Sequence, residues 1–190
     1  MGSFHPPVLE TARLQLRGFR VSDLDALADI YADPAVMRYI RDGVRSRKYT
    51  ASNILMYMLS WAQQGYGVWA VTGKDDATLY GMCGFVDRAE LGYSFARASW
   101  GRGFATEAAS ACLWYGFERL EYAEIGAGAL RDNTSSRRVL EKLGMRPQAN
   151  DFFDRNGGVY YHLLRADYQP AGEVIMRDDN RVDDDEAGND

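Results

Sequence analysis

The first part of the chain combines an alternating run of residues with a stretch of helical periodicity. Residues 13–17 alternate polar and apolar side chains, which predicts a half-buried strand. Ser22-Asp23-Leu24-Asp25 resembles a capping box and predicts the start of a helix, which Asp33-Pro34 would end. The residues predicted to face inward from this helix are Leu24, Leu27 and Ile30.

A second helix is predicted over residues 50–64, with Gly65 just past its end. Four apolar residues at helical spacing, Ile54, Leu55, Met58 and Trp61, are predicted to be buried. The basic run at residues 45–48 precedes this helix, and we interpret it as a solvated loop rather than a phosphate site.

The remainder of the chain predicts strands, two more helices and a final hairpin. Strands are predicted over residues 68–72, 79–86, 90–95 and 124–130. Helices are predicted over residues 108–120 and 134–143, the second closed by Gly144. The hairpin is predicted over residues 152–164, with its turn at Asn156-Gly157. A meander of strands thus precedes one β-α-β unit, which predicts an α/β protein with a mixed sheet.

Length and charge indicate one domain followed by an acidic tail. The 190 residues, 46% of them hydrophobic, fit one α/β domain, which we place at residues 1–169. The net charge of −5 comes from residues 170–190, where eight acidic and two basic residues give −6, whereas the rest of the chain carries +1. We expect that tail to be flexible, although residues 174–176 can lie against the body. The rest of the chain is nearly neutral, so we expect no nucleic-acid partner.

Cysteine and histidine are scarce, which limits the metal sites and the nucleophilic catalysis that this sequence can support. The two cysteines, Cys83 and Cys112, and two histidines, His5 and His162, lie far apart in the sequence and lack the paired spacing of a zinc site. We therefore expect no metal, and we expect both cysteines to be buried and inert. No run approaches the ~18 consecutive apolar residues of a membrane helix. Without an export signal, we predict a cytoplasmic protein with no membrane partner.

Residues 100–106 form a glycine-bearing turn between a predicted strand and a predicted helix. Gly101 and Gly103 allow close approach of an anion to the helix N-terminus, and Arg102 adds a positive charge. A purely steric role for the glycines is the alternative. The turn matches neither a P-loop, which needs Gly-Lys-Ser or Gly-Lys-Thr, nor a dinucleotide fingerprint, since Thr106 stands at its third glycine.

Three blocks of this sequence resemble the GCN5-related N-acetyltransferases. They are ELGY at residues 90–93, WGRGFATEA at residues 100–108 and NTSSRRVLEKLGM at residues 133–145. The resemblance runs from about Leu9 to Tyr168 and is strongest to the branch of ribosomal-protein alanine and serine N-acetyltransferases. It implies a mixed, mostly antiparallel sheet with a central splayed strand pair, flanked by helices. It also implies transfer of an acetyl group from acetyl-CoA to a primary amine, by direct attack in a ternary complex.

The resemblance also implies where acetyl-CoA binds. The backbone amides of residues 102–106 would hold the pyrophosphate, and a backbone N–H near Phe95 would polarise the thioester carbonyl. Asn133 matches a position on the pantetheine or adenylate side, although the residues alone favour a role as the N-cap of the helix at 134–143, and both roles can hold at once. The complete implied set is Phe95, Ala96, Gly101, Arg102, Gly103, Phe104, Ala105, Thr106, Asn133, Ser136 and Arg137.

Glu90 is the first candidate for the general base. An alkyl ammonium has a pKa of about 10.4, so a proton must leave before the nitrogen attacks. Strand alternation places Glu90, Gly92 and Ser94 on one face, and Gly92 would leave space beside the carboxylate. The position also matches a general-base glutamate in some relatives. A solvent-facing or ion-paired glutamate is the alternative interpretation.

The acid that protonates the leaving thiolate is less well defined. Leu140 stands where many members of the family place a tyrosine for this purpose. Tyr93 is our first candidate, and Tyr160 and Tyr161 are alternatives, although each also fits a core or wall position. His162 can line the amine site or lie within the sheet.

The identity of the acceptor amine is open in the sequence. We expect its pocket to involve residues 22–64 and 152–164, and a small molecule or a protein N-terminus would satisfy the chemistry. A monomer and a homodimer are both consistent with the sequence. Two alternatives stand beside the enzyme: a CoA-binding, non-catalytic sensor or interaction module, and a nucleotide-binding domain.

Overall fold

The computed structural model describes residues 6–177, and within that range nine strands form one sheet. The strands are β1 (Val8–Glu10), β2 (Leu14–Arg17), β3 (Val68–Gly73), β4 (Leu79–Asp87), β5 (Glu90–Phe95), β6 (Glu124–Leu130), β7 (Arg146–Gln148), β8 (Gly158–Leu164) and β9 (Ile175–Arg177). Their order across the sheet is β7-β8-β6-β5-β4-β3-β2-β1-β9. Every neighbouring pair is antiparallel except β5 and β6, so the sheet is mixed as predicted.

Six α-helices of this range accompany the sheet: α1 (Leu24–Ala32), α2 (Pro34–Met37), α3 (Arg47–Gln64), α4 (Phe104–Glu118), α5 (Thr134–Lys142) and α6 (Asp151–Arg155). Strand β3 is buried along its whole length because helices cover both faces of the sheet. Val68 and Ala70 pack in one cluster with α1 and α3. Trp69 and Val71 pack in a larger cluster that contains the buried face of α4.

The parallel pair at the centre of the sheet diverges, which confirms the expected splayed strands. Strands β5 and β6 share one paired position, Glu90 with Gly126, where the Gly126 N–H donates to the Ala89 carbonyl at 2.8 Å. Beyond that position the two strands separate. Backbone groups that an intact ladder would occupy are therefore available to a ligand.

The start of the first helix differs from the predicted capping box. A 3-10 turn, Val21–Asp23, precedes α1, and the Asp23 carboxylate accepts from the Arg20 backbone N–H at 2.8 Å. Arg17 also binds this carboxylate through both terminal nitrogens, at 2.8 and 2.7 Å. Asp23 is therefore buried as a structural ion pair, while Leu27 and Ile30 face inward as predicted.

The predicted inward face of the second helix is half wrong. Ile54 and Trp61 are buried, but Leu55 is 55% and Met58 42% exposed. The buried stripe runs through Thr50, Ile54 and Trp61, at the i, i+4 and i+11 positions of α3. Leu55 and Met58 lie on the neighbouring face of α3. The sequence pattern does not distinguish that face from the buried stripe, because both carry apolar residues.

The predicted hairpin at residues 152–164 is also wrong in its first arm. Residues of that arm form the short helix α6, because the Asn150 side chain accepts from the N–H groups of Phe152 and Phe153 and so caps it. The second arm is β8, which pairs with β6 and β7 instead.

Part of the predicted tail is ordered against the body. Strand β9 pairs with β1, with Met176 opposite Leu9, and Arg177 lies 3.4 Å from the Glu10 carboxylate. The tail boundary predicted from charge, at residue 170, therefore lies before the edge strand β9, so the predicted tail includes a strand of the sheet. Residues 178–190 of the predicted tail lie outside the described residues.

Candidate active site

The glycine-bearing turn joins β5 to α4 and leaves the start of that helix open. Gly101 and Gly103 have φ values of 75° and 80°, a left-handed conformation that favours glycine. Gly103 is the N-cap of α4, and it has no side chain to cap the first-turn N–H groups. Those groups point outward with the positive end of the helix dipole, which suits an anion.

A carboxylate clamp holds this turn to the connection between β1 and β2. Glu107, in the first turn of α4, accepts from the Thr11 hydroxyl at 2.7 Å and from the Arg13 backbone N–H at 2.9 Å. The Arg13 guanidinium binds its other oxygen and also donates to the Arg102 carbonyl at 2.9 Å. Burial opposes ionisation of Glu107, but the hydrogen bonds from Thr11 and Arg13 outweigh it and lower the pKa.

A cavity of about 430 Å³, the loop cavity, lies between this turn and α5. Its lining includes most of the residues that the resemblance assigned to acetyl-CoA: Phe95, Gly101, Gly103, Phe104, Ala105, Thr106, Asn133 and Ser136. Asn133 fills both of its expected roles, since its side chain also accepts from the Ser136 N–H at 3.1 Å and caps α5.

Three of the assigned residues lie elsewhere. The Arg102 guanidinium stacks 4.3 Å over the Phe104 ring. Arg137 donates to the Tyr161 hydroxyl at 3.0 Å, and the Ala96 N–H donates to the Tyr80 carbonyl at 2.8 Å. None of these three side chains is among the residues that line the loop cavity.

Two basic residues of the loop cavity were missed in the sequence. Arg138 and Lys142 line it from α5, together with Ser135. These positions are three and four residues apart, so one face of a single helix carries them. Combined with the predicted helix at residues 134–143, that spacing was a sequence signal for a cationic wall.

A larger cavity of about 740 Å³, the splay cavity, opens where β5 and β6 diverge. It meets the loop cavity at six shared residues, which are Tyr39, Ile40, Tyr93, Ser94, Asn133 and Ser136. Residues of the α2–α3 segment and of α6 form its far wall, including Arg38, Arg41, Arg45, Tyr57 and Phe153. The two cavities therefore form a continuous path across the splayed strands.

Glu90 lines the splay cavity at the point where the strands begin to separate. Its carboxylate accepts from the Tyr160 hydroxyl at 2.9 Å. Burial raises the pKa of Glu90, the Tyr160 hydrogen bond partly offsets that rise, and the charge of Asp87 adds to it. A half-buried carboxyl with a raised pKa, hydrogen-bonded by one tyrosine and facing a cavity, is chemically suited to accept a proton.

The space around this carboxylate comes from a different glycine than predicted. At Gly92 a Cβ atom would meet the Val86 side chain at 2.7 Å, so Val86 occupies the space expected there. At Gly126 a Cβ atom would overlap the Tyr160 hydroxyl and lie 3.0 Å from the Glu90 carboxylate. The absence of a side chain at Gly126 thus permits the Glu90–Tyr160 contact.

Tyr93 stands at the junction of the two cavities. Its hydroxyl lies 2.8 Å from the Ser136 hydroxyl and donates to the Ser136 carbonyl at 3.1 Å. Burial raises the pKa of Tyr93 well above its ordinary value. The side chain therefore keeps its proton, and rotation of the hydroxyl away from the Ser136 carbonyl would let it donate to a ligand at the junction.

The remaining candidate side chains lie outside the two cavities. Tyr161 is buried on the opposite face of β8, where its hydroxyl donates to Glu141 at 3.1 Å. His162 lies with its Nδ1 3.9 Å from the Glu124 carboxylate and lines neither cavity. Cys83 and Cys112 are both buried, with their sulfur atoms 3.5 Å apart, as inert core cysteines should be.

The basic run at residues 45–48 is not uniformly solvated. Ser46 caps α3 by accepting from the Tyr49 N–H at 3.2 Å, and this places Arg45 and Arg47 on different sides. Arg47 pairs with Asp25 at the surface, whereas Arg45 lines the splay cavity. The solvated-loop interpretation is therefore wrong for Arg45.

Among residues 6–177, no cluster of three or more His, Cys, Asp or Glu side chains could hold a metal ion. None of the helices formed by them is long and apolar enough to cross a membrane.

Comparison with known proteins identifies the family. Residues 13–146 match the family model described as an acetyltransferase (GNAT) domain. The chain belongs to the GNAT acetyltransferase family. It is an N-acetyltransferase, as the names of several similar proteins also indicate.

The relatives and solved structures cover most of the chain. The uncharacterized protein YkkB of Bacillus subtilis strain 168 is 36% identical over 72% of this chain and 84% of its own length. The uncharacterized N-acetyltransferase YoaA of the same strain is 31% identical over 81% and 92%. A crystal structure of a GNAT-family acetyltransferase from Bacillus anthracis superposes with a TM-score of 0.74 at 28% identity, covering 84% of this chain and 99% of that one.

Proposed function

We propose that this protein transfers the acetyl group of acetyl-CoA directly to a primary amine while both are bound. The observation that carries the proposal is the meeting of two cavities at Tyr93 and Ser94. The loop cavity offers a helix N-terminus for an anion, and the splay cavity offers Glu90 beside the position of an amine.

The residues of the loop cavity fit CoA. Open N–H groups at Phe104, Ala105 and Thr106 suit the pyrophosphate. Arg138 and Lys142 supply positive charge for the remaining phosphate. The apolar lining between them, which includes Phe95 and Val139, suits the pantetheine chain.

The backbone of β5 supports polarisation of the thioester at Phe95. The Ala96 N–H is used by Tyr80 on β4, and successive N–H groups of a strand point to opposite sides. The Phe95 N–H therefore faces β6, across the gap where the ladder is open. A carbonyl oxygen in that gap would accept from it, as in an oxyanion hole.

Glu90 is the proposed general base. The amine arrives as an ammonium, and the Glu90 carboxylate accepts its proton directly or through a water. The nitrogen then forms the new C–N bond as the C–S bond breaks, and the second proton that the nitrogen loses passes through water to the departing thiolate, which leaves as CoA-SH. Tyr93 is the proposed donor to that sulfur. Because its pKa is raised, it stabilises the thiolate by a hydrogen bond and retains its own proton.

Three further features belong to the proposal. The acceptor is an amine of a small molecule or of a protein N-terminus. Cys83 and Cys112 are free thiols that form no disulfide with each other, and this supports a cytoplasmic, reducing location. A non-catalytic CoA-binding module is not favoured, because it would have no use for a carboxyl held half-buried in the wall of the splay cavity.

Replacement of Glu90 tests the proposal. Glu90→Gln should lower kcat for any accepted amine by about 10²- to 10⁴-fold, the usual effect of losing a general base. Binding of acetyl-CoA should persist, since Glu90 does not line the loop cavity. The control is Glu118→Gln, at an exposed glutamate near the end of α4. Unchanged turnover in Glu90→Gln would show that another group, or water alone, accepts the proton.

A further inference from the structure

We infer that the acceptor is a small primary amine that also carries an anionic group, a carboxylate or a phosphate, bound by Arg38, Arg41 and Arg45. The inference rests on the proposed function, because it names the class of amine that the splay cavity accepts. It assigns the far wall of that cavity to recognition and the Glu90 end to chemistry.

The charges that line the splay cavity are unbalanced. Three arginines line it, and Glu90 is the one acidic residue among its lining residues. Among residues 6–177, no carboxylate lies within 4.0 Å of the Arg38, Arg41 or Arg45 side-chain nitrogens. By contrast Arg47, two residues after Arg45, pairs with Asp25 at 2.7 Å. An anionic ligand would supply the negatively charged partner that these arginines lack among the described residues.

Arg45 is the most strongly placed of the three. Its guanidinium lies 4.6 Å over the Tyr49 ring and 5.7 Å from the centre of the Tyr31 ring, and its backbone N–H donates to the Tyr31 carbonyl at 3.0 Å. Its Nε atom is buried and has no hydrogen-bond partner among the described residues. A guanidinium held against aromatic faces keeps its in-plane N–H groups directed at a ligand. Burying such a donor unpaired is unfavourable, so the site favours an acceptor oxygen.

The arrangement also selects against polyamines. A second ammonium group in the splay cavity would lie among three guanidinium groups and be repelled by each of them. An amine with an anion at its other end places opposite charges at both walls. The volume of about 740 Å³ lies within the range of pockets for small ligands.

Matched amines test the inference. One series is 5-aminopentanoate, 5-aminopentanol and 1,5-diaminopentane, and a second compares O-phosphoethanolamine with ethanolamine. We expect kcat/KM for an anionic amine to exceed that of its neutral counterpart by at least about tenfold, and the diamine to be the poorest substrate. The two series distinguish a carboxylate from a phosphate ligand.

Substitutions in the cavity wall give an independent readout. Arg41→Gln should lower the ratio of kcat/KM for the anionic amine to that for the neutral amine, mainly through KM, and Arg41→Glu should shift preference toward the diamine. Arg41 is exposed at the cavity mouth, so both variants should fold. The control Arg119→Gln, at an exposed arginine that lines neither cavity, should keep the wild-type ratio.

Neutral or cationic amines that equal or exceed their anionic counterparts in both series would overturn the inference. So would a panel in which no anionic amine is acetylated, or an unchanged ratio in both Arg41 variants. Binding of acetyl-CoA, measured in the same preparations, separates this failure from that of the proposed function. An enzyme that binds acetyl-CoA and acetylates only neutral or cationic amines keeps the function and loses the inference.

Discussion

A single hydrogen bond tunes the proposed base. The Tyr160 hydroxyl donates to the Glu90 carboxylate, and it can approach because Gly126 has no side chain. Burial raises the pKa of Glu90, while this bond stabilises the ionised form and opposes the rise. A base whose pKa lies above that of an ordinary carboxyl binds the proton of an ammonium more effectively.

Tyr160→Phe should therefore raise the pKa of Glu90 further, because it removes the bond that favours the charged form. The acidic limb of the kcat/KM against pH profile should move to higher pH. Tyr161→Phe is the matched control, since its hydroxyl lies on the other face of the same strand, and it should leave the limb in place. A limb that stays put in Tyr160→Phe, or moves to lower pH, would contradict the assignment of Glu90 as the titrating base.

The alternation of residues along β5 was enough to place Glu90 and Ser94 on the cavity face. The arginines of the splay cavity could not be found in this way. Arg38 and Arg41 lie in a connection without a period, and Arg45 faces the cavity only because Ser46 caps α3 where it does. Their convergence depends on how α2 and α3 pack, which no local pattern encodes.

At the scale of secondary-structure elements, the position of the turn before α4 depends on the carboxylate clamp of Glu107. Glu107 joins that helix to Thr11 and Arg13, in the connection between β1 and β2, and Arg13 also donates to the Arg102 carbonyl. The glycines make the turn possible, whereas the clamp fixes its position relative to the sheet. The open N–H groups of the loop cavity are thereby preorganised for an anion.

Glu107→Gln should lower the free energy of unfolding at pH 7 by about 1–3 kcal/mol, since it removes hydrogen bonds to a charged group. The pKa of Glu107 is lowered in the folded state, so its ionised form contributes stability above the unfolded pKa of about 4.3. That contribution is lost as the pH falls through the lowered pKa. Urea unfolding of wild type and variant should therefore show a gap that narrows below about pH 4.

The control for this comparison is Glu118→Gln, whose exposed side chain should change stability by less than about 0.5 kcal/mol. Equal stability of wild type and Glu107→Gln at pH 7 would contradict the clamp. A gap that keeps its full size at pH 3 would contradict the lowered pKa.

Elements with a strong period or a clear cap were predictable, and those fixed by packing were not. Strands β5 and β6 have the predicted bounds because alternation and flanking turns define them. The Asn-Gly pair at residues 156–157 marks a real turn, yet it follows a helix because Asn150 caps α6. The face of α3 was ambiguous because apolar residues surround much of that helix, and the sheet decides which of them it covers.

At the scale of the whole molecule, both cavities form where β5 and β6 diverge at the centre of the sheet. One edge of the sheet is formed by the predicted tail. Strand β9 extends the edge at β1, and the Ser110 hydroxyl donates to the Ala171 carbonyl at 3.2 Å. We propose one acetyltransferase domain that includes this strand. The charge pattern suggested an earlier boundary because β9 has only three residues and lies next to acidic sequence.

Truncation tests the contribution of β9. A chain that ends at residue 170 should melt several degrees lower than one that ends at residue 177, because it loses a strand ladder and the ion pair between Arg177 and Glu10. Differential scanning calorimetry would measure both. Identical melting of the two truncated chains would show that β9 adds nothing to stability.

Thermal shift with acetyl-CoA tests the central claim most directly. At about 100 times its dissociation constant the ligand should stabilise the folded state by ~2.7 kcal/mol, which raises Tm by roughly 5–10 °C for a chain of this size. ATP and NADH, which lack the pantetheine arm, should give a much smaller rise, and Arg138→Gln should weaken the response to acetyl-CoA. No rise with millimolar acetyl-CoA, or an equal rise with ATP or NADH, would contradict the assignment of the loop cavity to acetyl-CoA.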